Sequence, residues 1–281
     1  MTRPVLAWAA LAALCMLAPT AFAGEPQPWA MGFQPAASPT MERITSLAGF
    51  INAVIIAITV LVSVLLAYAC WRFDAKRNPK PAAWSHNTVL EIAWTAIPAF
   101  LLLLIAVPSF RLLYFMDRVQ NADMTLKIVG HQWYWSYEYP DLDFKFDSMI
   151  VSDDSLKPGQ PRLLTADNEL VLPAGVPIRL QMTADDVIHS FAIPAFGVKS
   201  DAVPGRLNES WVLINEPGVY YGQCSQLCGV NHGFMPIHVR ALPKDEFAAW
   251  ATEAKHKFAH LDGTPPSVAV ALAPVAPEAR P

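Results

Sequence analysis

Residues 47 to 69 form a run of 23 without a charged side chain. An α-helix needs about 20 such residues to cross the hydrocarbon core of a bilayer. A second run, 89 to 110, carries a single charge, Glu91. No water-filled fold hides two such segments easily in a chain of 281 residues, 53% of them apolar, so two spanning helices are expected over 46–70 and 88–116. The connection between them, 71–87, carries Arg72, Lys76, Arg77 and Lys80 against Asp74 alone. That surplus places it on the cytoplasmic side and both flanking segments outside. The N-terminus agrees: Arg3, an apolar stretch from Val5 to Leu17, and Ala21-Phe22-Ala23 read as a signal peptide over 1–23, with an uncleaved anchor as the alternative. Residues 24–45, rich in Pro and Ala, read as an extended outer arm. Pro98 and Pro108 interrupt the second span, and each frees a backbone carbonyl. Glu91 lies one turn inside its cytoplasmic end, where a carboxylate marks a proton path or simply reaches back to the interface.

The pattern changes after the spans. From about 124 to 241 short stretches of β-branched and aromatic residues alternate in period two between Pro/Gly turns, among them Ile178 to Met182 and Trp211 to Ile214. Such spacing predicts an antiparallel sandwich or barrel. Residues 244–258 repeat apolar side chains at Phe247, Trp250, Ala251, Ala254 and Phe258, the pattern of a closing helix. Residues 261–281, mostly Ala, Pro and Val, read as a disordered tail. The outer portion, 117–260, holds 18 acidic and 12 basic residues. That balance opposes nucleic-acid binding and suits a basic protein partner or ordinary solubility.

Two stretches carry chemistry. In Gln223-Cys224-Ser225-Gln226-Leu227-Cys228-Gly229-Val230-Asn231-His232-Gly233-Phe234-Met235-Pro236, two thiols, an imidazole and a thioether fall within twelve residues, and His189 in Asp186-Val187-Ile188-His189-Ser190 offers a second imidazole. The set is soft and suits copper. A mononuclear blue-copper site uses one thiolate, so two thiolates able to bridge fit a binuclear centre. A Cys224–Cys228 disulfide and a Cys₂His₂ zinc site draw on the same residues. The second stretch, Gly130-His131-Gln132-Trp133-Tyr134-Trp135-Ser136-Tyr137-Glu138-Tyr139-Pro140, reads as a strand with Trp133, Trp135, Tyr137 and Tyr139 on one face, either core or an electron-accepting surface.

These stretches resemble subunit II of the haem–copper cytochrome c oxidases of bacteria and mitochondria. So do Pro194-Ala195-Phe196-Gly197-Val198-Lys199, Asp201-Ala202-Val203-Pro204-Gly205-Arg206, His86-Asn87-Thr88, Glu91 and Trp94-Thr95, and the resemblance runs from about Met31 to Phe258. It implies a two-helix transmembrane hairpin and an outer cupredoxin-like domain bearing a copper A centre. Cys224 and Cys228 would bridge two coppers, with His189 and His232 on one copper each. Met235 and the backbone carbonyl of Gln226 would be weak outer ligands. Trp133 would accept the electron from cytochrome c, and Glu138, Asp147 and Asp186 would lie on the acidic docking surface. Glu91 would stand at the mouth of a proton path shared with subunit I. The family most often has Glu where this chain has Gln226, and that side chain serves a magnesium ion at the subunit I boundary, which puts magnesium in doubt. The implied activity is electron transfer from cytochrome c to the haem of subunit I in a complex with subunits I and III, at a bacterial inner membrane with the copper domain periplasmic. The intact thiols and imidazoles argue against a quinol oxidase subunit, the two spans against a nitrous oxide reductase, and the aromatic stretch against a copper-delivery protein. No Cys-x-x-Cys-His occurs, so a fused c-type haem is not expected.

Overall fold

The computed structural model describes residues 24–80, 82–117 and 121–258; the expected signal peptide and tail lie outside them. Two helices come first, α1 (Pro39–Arg72) and α2 (Thr88–Asp117). Their apolar side chains are exposed nearly throughout, and both are long and apolar enough to cross a membrane. An apolar surface of that extent is stable only in lipid or against partner helices. α2 continues as helix through Pro98 and Pro108.

α1 starts well before its apolar run, inside the expected arm. Ser38 caps it by accepting from the Met41 N–H, with Pro39 in the first turn, an arrangement that contributes about 1 kcal/mol. The Ser38 hydroxyl also donates to the Phe196 carbonyl at 2.7 Å, and the Ala37 N–H to the Ala195 carbonyl at 2.8 Å. Ala37, Ser38, Thr40 and Met41 are buried as a result. The helix therefore grows out of the β-domain and is not joined to it by a loose arm.

The β-domain is a sandwich of two five-stranded sheets. Its strands are β1 (Met124–His131), β2 (Tyr134–Tyr139), β3 (Phe144–Ser148), β4 (Leu170–Pro173), β5 (Pro177–Ala184), β6 (His189–Ile193), β7 (Val198–Ala202), β8 (Asn208–Leu213), β9 (Gly218–Cys224) and β10 (Pro236–Leu242). One sheet runs β3-β2-β1-β5-β8, the other β4-β10-β9-β6-β7. The expectation of a purely antiparallel domain needs correction: β1 pairs with β5, and β4 with β10, in parallel. Parallel neighbours need long crossovers, and the intervening strands supply them. β1, β2 and β5 alternate strictly between buried and half-buried, as one face on the core demands. α3 (Lys244–Phe258) closes the sandwich, with Trp250 against Tyr139 and Phe144 at 5.7 and 5.8 Å and Phe258 stacked on Phe146 at 4.7 Å. Trp211 breaks the expected alternation of β8. It is buried beside Val212, and its face is covered by α2, whose Phe115 ring lies 5.2 Å away and whose Phe115 carbonyl accepts the indole N–H at 3.2 Å.

Candidate metal centre

β9 ends on Cys224 and β10 begins at Pro236, and the connection between them carries the soft side chains over one end of the sandwich. His189 opens β6, the neighbour of β9 in the same sheet, with Phe191 opposite Cys224. The ligand atoms of His189, Cys224 and Cys228 all lie within 4.8 Å of one another, and all three residues are buried. The two sulfurs are 3.9 Å apart. A disulfide bond is near 2.05 Å, so these are two thiols held side by side. Around Cys224 stand His189 Nδ1 at 3.9 Å and the Gln226 carbonyl at 3.3 Å; around Cys228 stand His232 Nδ1 at 3.5 Å and Met235 Sδ at 3.6 Å. Each sulfur thus has one imidazole and one weak donor.

The imidazole of His189 is fully buried and held on three sides. Its Nε2–H donates to Asp186 Oδ1 at 2.9 Å, which leaves Nδ1 facing the sulfur. Trp135 meets it edge-on at 5.9 Å between ring centroids. Gly130 of β1 lies close against it: a Cβ at that position would stand 2.8 and 2.9 Å from the ring atoms Cδ2 and Cγ. Burial disfavours the imidazolium, but Cys224 and Asp186 beside it outweigh burial and raise its pKa. For the Asp186 carboxylate, burial is outweighed by hydrogen bonds from His189 and from the Val187 and Gln132 N–H groups, which lower its pKa.

Burial pushes against both thiolates, with unequal outcomes. Hydrogen bonds, first from His189, bring the Cys224 thiol down to about 6, whereas burial and then the Cys224 charge push Cys228 up to about 12. Two like charges this close cannot both form in a poorly solvated pocket, so the metal-free pair keeps one proton. A cation is what allows the second thiol to ionise.

Trp133 does not sit on the aromatic strand. β1 and β2 form a hairpin with His131 opposite Tyr134, so Gln132 and Trp133 are its two-residue tip, while Trp135, Tyr137 and Tyr139 fill the core. The tip rests on the cysteine loop. Trp133 Nε1–H and Gln132 Nε2–H both donate to the Cys228 carbonyl, at 3.2 and 2.7 Å. Gly229, at φ +122°, follows that carbonyl, and a Cβ there would press on Trp133 at 3.0 Å. Asp186 ties the assembly together by accepting the Gln132 N–H at 2.6 Å while it holds His189. Gln132, Gly130 and Trp135, whose Nε1–H donates to the Met235 carbonyl at 3.3 Å, are positions that periodicity alone assigns to a strand face.

The remaining expected residues lie elsewhere. Glu138 pairs with Lys127 at 2.7 Å, and Asp147 accepts from Ser136 Oγ at 2.6 Å. Glu91 occupies the first turn of α2, one residue after Leu90, whose N–H is capped by Asn87. The Gln226 side chain is exposed.

Comparison with known proteins agrees in both segments. The family model described as cytochrome c oxidase subunit II, transmembrane domain, matches residues 26–112, and that described as its periplasmic domain matches residues 124–242. A probable cytochrome c oxidase subunit 2 of Rickettsia bellii (strain RML369-C) is 50% identical over 250 residues, covering 89% of this chain and 93% of that protein. Cytochrome c oxidase subunit 2 of Cereibacter sphaeroides is 43% identical over 250 residues, covering 83% and 82%. Among solved structures, the periplasmic domain of subunit II of cytochrome oxidase of Bradyrhizobium japonicum is 55% identical, covering 50% of this chain and 99% of that one, with a TM-score of 0.47. With the membrane and periplasmic segments both matched in order and half the residues shared along nearly the whole of a relative, the chain belongs to the cytochrome c oxidase subunit II family.

Proposed function

We propose that this chain holds a binuclear copper A centre, accepts single electrons from cytochrome c and passes them to a haem in subunit I, where oxygen reduction is coupled to proton pumping. The observation that carries the reading is the matched surroundings of the two sulfurs: His189 Nδ1 and the Gln226 carbonyl beside Cys224, His232 Nδ1 and Met235 Sδ beside Cys228. The donor set fits copper. It is soft, and Cys224, Cys228, His189 and His232, with Met235 and the Gln226 carbonyl as weak donors, are the residues that would hold the metal. Copper bound there would supply one-electron redox chemistry.

The protein's own part is positional. Asp186 fixes the tautomer and tilt of His189, and the sheet ends fix the cysteines, so the ligands stand in place before an ion arrives. Trp133 joins the surface to the Cys228 carbonyl through its indole N–H, a short bonded route from a docked cytochrome c into the centre. Asp147 and Asp186 stand on the same end of the domain as that tip, and Glu138 stands further along β2, already paired with Lys127; their charges favour a basic partner. The spans would lie in a bacterial inner membrane beside subunits I and III, with the sandwich on the periplasmic side and Glu91 at the cytoplasmic end of α2, leading protons toward subunit I. Copper analysis and EPR of the detergent-purified chain are the test. The expected result is two coppers per chain and one unpaired electron shared between them, lost in Cys224→Ser and in Cys228→Ser. One copper per chain, or an unchanged spectrum in either variant, would overturn the reading.

A further inference from the structure

Where the two spanning helices enter the β-domain, they part to leave a cleft of about 420 Å³ lined by Arg43, Ser46 and Leu47 of α1 and by Pro108, Arg111 and Leu112 of α2. Both arginines line it. Arg43 lies one turn before the uncharged run that starts at Leu47, and Arg111 directly follows the apolar run that ends at Phe110. Among the described residues, neither is within ion-pair distance of a carboxylate. The nearest acids in sequence do not serve them: Glu42 accepts from Asn215 Nδ2 at 2.7 Å, and Asp117 belongs to a later turn of α2. Arg43 is steadied from behind, its guanidinium 3.4 Å over the Phe115 ring.

We propose that this cleft binds one anionic phospholipid of the outer leaflet, its phosphate diester between Arg43 and Arg111 and an acyl chain along Leu47 and Leu112. Two unpaired guanidiniums facing one cleft repel each other, and a phosphate removes that cost by accepting paired N–H bonds from each. The lining selects the ligand. Beside the two arginines and Ser46 the lining is apolar, from Leu47, Phe50, Pro108 and Leu112, so a molecule filling the cleft must carry charge at one end and hydrocarbon at the other. Arg43 follows closely on the start of α1, which is tied to the β-domain by the bonds from Ser38 to the Phe196 carbonyl and from Ala37 to the Ala195 carbonyl. A lipid here would therefore brace the junction that sets how the domain stands on the membrane.

The test is native mass spectrometry of the detergent-purified oxidase complex containing this chain, with phosphatidylglycerol added back. Wild type should retain one phosphatidylglycerol that phosphatidylcholine does not replace, and the R43Q/R111Q variant should bind it about 30-fold more weakly, each arginine near a lipid headgroup being worth about fivefold. Should the double variant fail to assemble, a photoactivatable phosphatidylglycerol on wild-type complex keeps the question open to an answer: labelling is expected within residues 43–50 and 108–112. Equal retention by wild type and variant would overturn the proposal. So would equal binding of phosphatidylcholine, displacement by millimolar inorganic phosphate, or labelling confined to other subunits because one of them covers the cleft.

Discussion

Gly130→Ala is the smallest change that should disturb the centre without touching a ligand. The added methyl would meet His189 Cδ2, Cγ and Cβ at 2.8, 2.9 and 3.0 Å, where ordinary van der Waals contact begins near 3.4 Å. The ring must retreat by roughly half an ångström, more than the ±0.2 Å over which metal–ligand distances hold. It has little freedom to do so, with Trp135 edge-on, Asp186 bonded to Nε2 and the residue fully buried. Overpacking of this kind costs about 1–3 kcal/mol, and loss of ligand alignment weakens metal affinity about 10–100-fold. The assay is competitive copper titration of the purified chain, with EPR of the loaded form. Gly218→Ala, where the nearest atoms are 3.6 Å away on the same sheet as Cys224, serves as control. Weaker copper binding and altered nitrogen coupling are expected for Gly130→Ala alone. Wild-type affinity and spectrum in Gly130→Ala would refute the argument that β1 fixes the His189 ring.

Trp133→Gln should keep the copper spectrum and sharply slow reduction by cytochrome c in stopped-flow; loss of copper would instead make the tip residue structural. Asp147→Asn should weaken docking and flatten the salt dependence of the on-rate more than Glu138→Gln does, because Lys127 already offsets the Glu138 charge. In the assembled oxidase, Glu91→Ala should slow reduction of the oxygen-binding site while copper is reduced at its usual rate, and equal slowing of both steps, or of neither, would count against a proton path. Gln226→Glu should strengthen Mn²⁺ binding at the subunit I boundary, read by EPR of enzyme grown with manganese, and barely move the copper potential, since only the carbonyl faces Cys224. Equally tight manganese in both forms would show the side chain to be without consequence there.

The legible parts of the chain were those whose physics is local. Two uncharged runs of spanning length need no tertiary information to be read, nor does a soft donor set compressed into residues 224–235. The helical stripe from Phe247 to Phe258 is equally self-contained. The start of α1 was also written locally, in Ser38-Pro39, a cap followed by proline; the surrounding Pro and Ala masked it. What stayed hidden depends on pairing. Period-two alternation runs unbroken through Gln132 and Trp133, so nothing local says that the chain reverses there; the reversal follows from His131 facing Tyr134. Likewise the parallel pairs β1–β5 and β4–β10 join segments far apart in sequence, and Trp211 is covered by a helix that belongs to another part of the chain.

That non-local part decides how the centre can work. The cysteine loop is exposed at Leu227 and Val230 and is joined to the sheet at its two ends, by the Ser225 N–H donating to the Ser190 carbonyl at 3.0 Å and the Cys224 N–H donating to the Met235 carbonyl at 3.4 Å. Its shape comes from outside: Gln132 and Trp133 hold the Cys228 carbonyl, Trp135 holds the Met235 carbonyl, and Asp186 links the hairpin tip to His189. These contacts reach the loop from the β1–β2 hairpin, and Ser190 of β6 accepts the Ser225 N–H, so both sheets restrain it. A site that exchanges one electron benefits from such restraint, because ligands that cannot move between oxidation states add little reorganisation to each transfer. The same hairpin tip forms the outer surface beside the centre. On the proposed reading a partner docked there would reach Cys228 through the Trp133 indole N–H and one carbonyl.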